Sequence, residues 1–293
     1  MVRTEFSMNA SKPGAADGFR KQWAGLGREA AARPASAGAA FTLLELLVVV
    51  GIIAILVGLL SAGLARAKGE AHRIQCLNNT KQFIYAWSMY TDENHDQLPP
   101  NGVNVPGGPP EDAWVGGFLI KGETNWTDNT NMFWIETSLL TPYLRTISRG
   151  TWRCPSDKST ATFGSPPFGY HTYPRTRSYT MDRWTGEGMR RDSLAHPVAT
   201  FVFLDHSEDD EYYDRFDVDP TNGPASLLNL PGAYHNRAAN LAYADGHAAT
   251  HRWLDPRTTP PIYPYSIGIS GMQWPPNPDV AWLREHSIPW MIP

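Results

Sequence analysis

An apolar run of 20 residues, from Leu46 to Ala65, constrains the fold of this chain more than any other feature. The run has no charged residue, and a helix of that length spans about 30 Å, close to the hydrocarbon thickness of a bilayer. It therefore predicts one transmembrane helix. Glu45 lies directly before the run, and an ionised carboxylate that enters lipid without a partner costs about 3 kcal/mol. We expect a neighbouring chain to supply that partner.

The residues before the apolar run form a basic leader. Residues 1–40 contain six Lys or Arg and three acidic side chains, which gives a net charge of +3. Because positively charged flanks stay in the cytoplasm, we expect the chain after the run on the opposite side of the membrane. The Ala, Gly and Ser content of the leader predicts disorder.

The sequence Phe41-Thr-Leu-Leu-Glu45, followed by an aliphatic run, resembles the processing site of type IV pilins and type II secretion pseudopilins. The resemblance implies that prepilin peptidase cleaves between Ala40 and Phe41 and methylates the new amine, although the family usually has Gly where this chain has Ala40. It also implies that Glu45 pairs with the N-terminal amine of an adjacent pilin-like subunit during filament assembly. The alternative is an ordinary single-pass anchor without a role in assembly.

The same resemblance implies a location for each part of the chain. The N-terminus is expected in the cytoplasm, the helix in the bacterial inner membrane as a single pass, and the C-terminal domain in the periplasm. Assembly would extract the processed subunit from the membrane into a filament.

A second resemblance lies near the C-terminus. His235 is followed after nine residues by Asp245-Gly246, which is similar to a His-x9-Asp-Gly signature in bacterial proteins that share the prepilin-type N-terminus. Segments that begin at Cys76, Cys154 and Ser178 resemble the same group. This resemblance implies no defined biochemical activity.

Composition and turn signals predict the organisation of the rest. Apolar residues recur at helical spacing after the membrane segment until about Asn94, and two prolines soon follow. The whole chain contains 25 Pro, 25 Gly and 11 Trp, and this composition favours short strands and long loops after the helix. The predicted regions are a disordered leader (1–40), a transmembrane helix (41–65), a periplasmic amphipathic helix (66–95), a β-rich pilin-like domain (96–260) and a Pro/Trp-rich extension (261–293). The predicted fold class is α+β, with the long helix packed on an antiparallel β-sheet domain.

Two stretches carry clear strand signals. The run Ala199–Leu204 is continuous, apolar and rich in β-branched and aromatic residues, which predicts a buried strand. Two alternating stretches, Asn240–Ala244 and His247–His251, flank Asp245-Gly246. That dipeptide predicts a hairpin with a two-residue loop. Such a loop pairs Ala244 with His247 and Asn240 with His251.

The chain has two cysteines, Cys76 and Cys154, and both follow the membrane segment. In the oxidising periplasm two thiols of one domain tend to pair, so we predict a disulfide between them. Such a bond would close a loop of roughly 80 residues and contribute about 4 kcal/mol in the chain-entropy model. The alternative is two separate buried thiols.

An acidic stretch predicts a calcium site. Asp217, Asp219 and Asn222 offer oxygen ligands along one loop, and major pseudopilins are similar in carrying calcium in a C-terminal loop. The spacing differs from that of an EF-hand, so the alternative is a solvated acidic loop.

The histidines suggest a second metal hypothesis. A site could combine His206, His235 and Asp245 from separate segments. The alternative is that His235 and Asp245 form hydrogen bonds that fix a loop, since Asp also suits a tight turn by itself.

The sequence gives no positive support for an enzyme, because it has no nucleotide-binding loop, no Gly-x-Ser-x-Gly and no His-Glu-x-x-His. Since the whole chain carries −4 and the leader +3, residues 41–293 carry −7, which argues against nucleic acid as a partner. The predicted function is a pilin-like subunit of a type II secretion or type IV pilus-like filament. The alternative is a non-polymerising, membrane-anchored protein that binds carbohydrate or metal, or an enzyme. In a carbohydrate-binding protein an aromatic group would form a stacking platform rather than core: Trp114, Trp126, Phe133 and Trp134.

Overall fold

The computed structural model describes residues 41–101, 113–117, 119, 127–186, 188–208, 215–218, 226–227, 229–260, 272–273 and 277–287. The chain falls into two compact units, residues 1–54 and 55–293, and the packing of helices on the sheet belongs to the second. The leader, and with it Ala40, lies outside the described residues. So do Trp126, Asp219 and Asn222.

The long N-terminal helix, α1, extends from Leu43 to Glu93. Large apolar side chains are exposed along its first part, among them Leu47, Ile53 and Leu60. By length and composition α1 is able to cross a membrane, which agrees with the predicted span. The helix ends close to the predicted position, because His95 and Asp96 adopt positive φ angles of 57° and 65° and so leave the helical conformation.

Beyond α1 the described residues contain three short α-helices and nine strands. The helices are α2 (Phe133–Glu136), α3 (Arg149–Trp152) and α4 (Pro278–Ser287). The strands are β1 (Thr160–Ser165), β2 (Gly169–Pro174), β3 (Tyr179–Asp182), β4 (Phe201–Asp205), β5 (Arg215–Phe216), β6 (Ser226–Leu227), β7 (Ala238–Tyr243), β8 (Ala248–Arg252) and β9 (Met272–Gln273). The fold is therefore α+β, as predicted.

Five strands form the central sheet in the order β5-β3-β4-β7-β8. Neighbouring strands are antiparallel except for β3 and β5, so the sheet is mixed rather than purely antiparallel. Strand β4 lies in the middle and is buried throughout, in agreement with the strand predicted there. Two smaller antiparallel pairs, β1-β2 and β6-β9, complete the described strands.

Both faces of the central sheet are covered. The second half of α1 contributes Phe83, whose ring lies 4.8 Å from that of Trp152 and 5.7 Å from that of Phe203 between centroids. A second apolar cluster joins Leu204 and other sheet residues to Leu283 of α4. Strands β4 and β7 contribute to both clusters, which explains why β4 is buried along its whole length and its sequence is apolar up to Asp205.

Trp114 belongs to the first apolar cluster and is fully buried. Its ring stacks on that of Trp152 at 5.8 Å and an interplanar angle of 12°. A buried ring cannot stack on a sugar in solution, so the platform hypothesis is wrong for this residue. Trp134 uses its indole nitrogen to donate to Asp128 at 2.9 Å.

The β7-β8 hairpin forms where it was predicted, but with a different loop and register. Asn240 pairs with Thr250, one position away from the predicted pairing with His251. Of the turn dipeptide only Gly246 has a positive φ, of 94°, whereas a two-residue type I′ turn needs positive φ at both positions. The loop is longer than predicted, and Tyr243 N donates to His247 O at 2.9 Å across it.

Candidate functional site

Four polar side chains from separate parts of the sequence meet inside the second unit. Cys76 comes from α1, Cys154 follows α3, Asp205 ends β4 and His235 lies just before β7. Their residues are 0%, 1%, 0% and 8% exposed, respectively. We call this group the Cys-His-Asp cluster. Buried groups of this kind are costly unless they are paired, so the fold must satisfy them.

The atoms of the cluster converge on a small volume. His235 Nε2 lies 3.3 Å from Cys154 Sγ and 3.4 Å from Asp205 Oδ2. Cys76 Sγ donates to Asp205 Oδ1 at 3.0 Å. Both Sγ atoms and one histidine ring nitrogen lie within 4.8 Å of one another.

Neighbouring groups hold Asp205 and Cys76 in position. Asn240 N donates to Asp205 Oδ2 at 3.0 Å, and the Tyr179 hydroxyl donates to Cys76 Sγ at 3.2 Å. Gly232 lies so close that a Cβ there would be 2.6 Å from Asp205 Cβ. A glycine is therefore required beside the carboxylate.

The local sequence around Cys154 fixes its thiol. Asp157 N donates to Cys154 O at 3.0 Å and closes a turn through Pro155. The Ser178 hydroxyl accepts from Cys154 N at 3.0 Å and donates to Asp157 Oδ2 at 2.5 Å. The segments that start at Cys154 and Ser178 thus lie in contact.

Burial and hydrogen bonding shift the pKa values of the cluster. Burial raises the pKa of the Cys76 thiol well above its ordinary value. The interactions of Cys154 with the neighbouring Cys76 thiol and with His235 outweigh burial and lower the pKa of Cys154 to about 7. Burial acts to lower the pKa of His235, but hydrogen bonds with Asp205 and Cys154 raise it to about 9. At neutral pH the imidazole of His235 is therefore charged and lies beside the easily ionised thiol of Cys154.

The predicted disulfide is not present, because Cys76 and Cys154 are both free buried thiols. The two Sγ atoms lie within 4.8 Å of each other, but each thiol has another polar partner: Asp205 for Cys76 and His235 for Cys154. The alternative of two buried, unbridged thiols agrees with the structure, and both thiols belong to one hydrogen-bonded cluster.

The hypothesis of a metal site from His206, His235 and Asp245 is wrong. The His206 ring packs edge-on against Phe216, and Asp245 binds His247 Nδ1 at 2.6 Å. The two ends of the His-x9-Asp-Gly signature therefore have different roles: His235 belongs to the Cys-His-Asp cluster, and Asp245-Gly246 shapes the turn.

Of the predicted calcium ligands, only Asp217 lies within the described residues, so the calcium site stays a prediction. Asp217 Oδ2 lies 2.9 Å from Arg183 Nη1 and 3.7 Å from Arg215 Nε. These two guanidinium groups offset the negative charge that would attract a cation. Asp219 and Asn222, the other two predicted ligands, lie outside the described residues.

Sequence reasoning missed Asp205 as a site residue. Asp205 directly follows the apolar run Ala199–Leu204, and a carboxylate at the end of a buried strand must be exposed or paired. This position in the sequence is the signal that points to Asp205. The chain matches no protein-family model, no curated protein and no solved structure.

Proposed function

We propose that this chain is a pilin-like, membrane-anchored subunit of a type II secretion or type IV pilus-like filament, processed by prepilin peptidase before Phe41. The observation that carries the proposal is the environment of Glu45. The residue lies in the first turn of α1 and is followed by exposed Leu, Val and Ile side chains. A helix with this surface needs lipid or other helices around it.

Glu45 also has a role within its own chain. Thr42 N donates to Glu45 Oε2 at 2.9 Å, and Glu45 N donates to Thr42 Oγ1 at 3.2 Å. These reciprocal bonds form a capping box, which satisfies two backbone donors at the helix start. In the membrane such donors have no water to bind, so the cap is worth more there than in solution.

The capping box leaves part of the carboxylate for a partner. The Thr42 backbone and hydroxyl both donate to Oε2, which leaves Oε1 outside the cap. In the proposed assembly, Oε1 accepts the protonated N-methyl amine of Phe41 from the neighbouring subunit. The pair neutralises two charges that would each be costly in lipid.

The capping and pairing roles separate in a Glu45→Gln variant of the full chain. Glutamine keeps a carbonyl oxygen for the cap but carries no charge, so insertion and cleavage should continue while incorporation into filaments is lost. Thr42→Val is the matched control: it removes the hydroxyl of the cap, keeps Glu45 charged and should still assemble. Chemical crosslinking in membranes and recovery of sheared filaments report the outcome.

Normal assembly of Glu45→Gln contradicts the pairing role. If the unmodified chain forms no crosslinks with itself or with other pilin-like subunits, the non-polymerising anchored protein becomes the correct function.

A further inference from the structure

We propose that Cys76, Cys154 and His235 bind one zinc ion, with Asp205 as the fourth ligand. Two thiols and an imidazole, brought together inside a domain, are the ligands that structural zinc sites use. Thiolate sulfur selects zinc over calcium and magnesium, which bind oxygen ligands. The site is independent of any role of this chain in filaments.

The distances in the cluster fit a tetrahedral ion. With Zn–S near 2.3 Å and Zn–N near 2.0 Å, neighbouring sulfur and nitrogen ligands are about 3.5 Å apart. Cys154 Sγ and His235 Nε2 are 3.3 Å apart, and Nε2 lies 3.4 Å from Asp205 Oδ2. Both sulfurs and one histidine ring nitrogen lie within 4.8 Å of each other, so side-chain movements of about 1 Å suffice to surround the ion.

The hydrogen bonds argue for a binding site rather than a catalytic triad. In a triad the two ring nitrogens of histidine serve different partners, one the nucleophile and the other the carboxylate. Here Cys154 and Asp205 both contact His235 Nε2, and Nδ1 has no hydrogen-bond partner within the described residues. Ligands that point at one place are what a metal ion requires. Their burial also matches a closed structural site without an open position.

Zinc binding replaces the protons that now hold the cluster together. Each thiol gives up its proton when the Zn–S bond forms, and a charged His235 gives up the proton on Nε2, so the protons pass to solvent while the ion takes their place. The ion joins α1 to β4 and to the segments that carry Cys154 and His235. It also keeps both thiols from oxidation to a disulfide.

The test uses the full chain in detergent micelles, purified from zinc-supplemented cells in the presence of a reductant. We expect one zinc ion per chain by elemental analysis. Replacement by Co²⁺ should give the visible absorption of a tetrahedral ion and a near-ultraviolet thiolate-to-cobalt charge-transfer band. The double variant Cys76→Ser/Cys154→Ser should lose zinc and the charge-transfer band. His247→Gln is the control, because this half-exposed histidine lies in the loop of the β7-β8 hairpin, outside the cluster, and binds Asp245.

Three results would overturn the proposal. The first is a zinc-free chain that also fails to take up Co²⁺ while its thiols are free. The second is a chain whose intact mass is two hydrogens lighter, which means a Cys76–Cys154 disulfide. The third is retention of zinc by the double variant. If that variant does not fold, the absence of a charge-transfer band in the unmodified chain still decides against the site.

Discussion

His235 Nε2 lies 3.3 Å from Cys154 Sγ, although 81 positions separate the two residues in the sequence. The same nitrogen contacts Asp205 Oδ2, which connects the loop before β7 with the end of the central strand β4. Cys76 brings α1 into the same cluster through Asp205 Oδ1. The long helix and the sheet are therefore joined by polar contacts as well as by apolar packing.

In the zinc-free chain, removal of His235 should destabilise the protein because the buried Asp205 loses its charged partner and keeps only the hydrogen bonds from Cys76 and Asn240. We expect His235→Ala to lower the free energy of unfolding by about 3 kcal/mol or more. Adding Asp205→Asn to the same chain should restore part of the loss, since the neutral amide needs no counter-charge. Denaturant unfolding of both variants and of Asp205→Asn alone forms a double-mutant cycle, and additive effects would contradict the pairing.

Gly232 controls the position of Asp205. In Gly232→Ala the new methyl group would meet Asp205 Cβ at 2.6 Å and its backbone carbon at 3.0 Å. We expect a loss of about 1 to 3 kcal/mol and weaker retention of zinc. Gly69→Ala is the control, because Gly69 lies in α1 with nothing within 4 Å of an added Cβ, and should be neutral or slightly stabilising. Equal effects at the two sites would argue against close packing at Gly232.

The apolar contact between α1 and the sheet depends on Phe83, which is fully buried and borders Trp114, Trp152, Tyr179 and Phe203. Phe83→Ala should cost about 3 to 5 kcal/mol through lost burial and the cavity that remains. Tyr85→Ala, at a half-exposed position of the same helix, should change stability much less. Thermal unfolding measures both, and a small effect at Phe83 would contradict the observed packing.

His206 should make the protein sensitive to acid. Burial, followed by the charges of Arg175 and Arg177, lowers the pKa of His206 to about 3. The ordinary pKa of histidine is about 6.5. Between about pH 6.5 and pH 3, His206 therefore binds a proton in the unfolded chain but not in the native chain, so the free energy of unfolding falls as pH falls. Relative to His206→Gln, we expect the unmodified chain to lose about 3 kcal/mol between pH 7 and pH 4. The free energy of unfolding of both proteins is measured at a series of pH values. If it falls equally in the two proteins, His206 does not cause the sensitivity to acid.

Local patterns predicted the parts of the fold that depend on nearby residues. The apolar run predicted α1, and the β-branched and aromatic run before Asp205 predicted the central strand. The hairpin register was missed because it depends on the φ angle of Asp245, which the dipeptide alone does not determine. The bonding state of Cys76 was also missed. Its partner Asp205 lies 129 positions away, and a contact of that kind leaves no periodic signal in the sequence.

Mass spectrometry of the N-terminus of the membrane-bound protein tests the proposed function most directly. The account predicts a chain that begins with N-methylated Phe41 and retains Glu45 and the apolar run. Recovery of only the unprocessed chain with residues 1–40, or of a soluble chain that lacks residues 41–60, would contradict it.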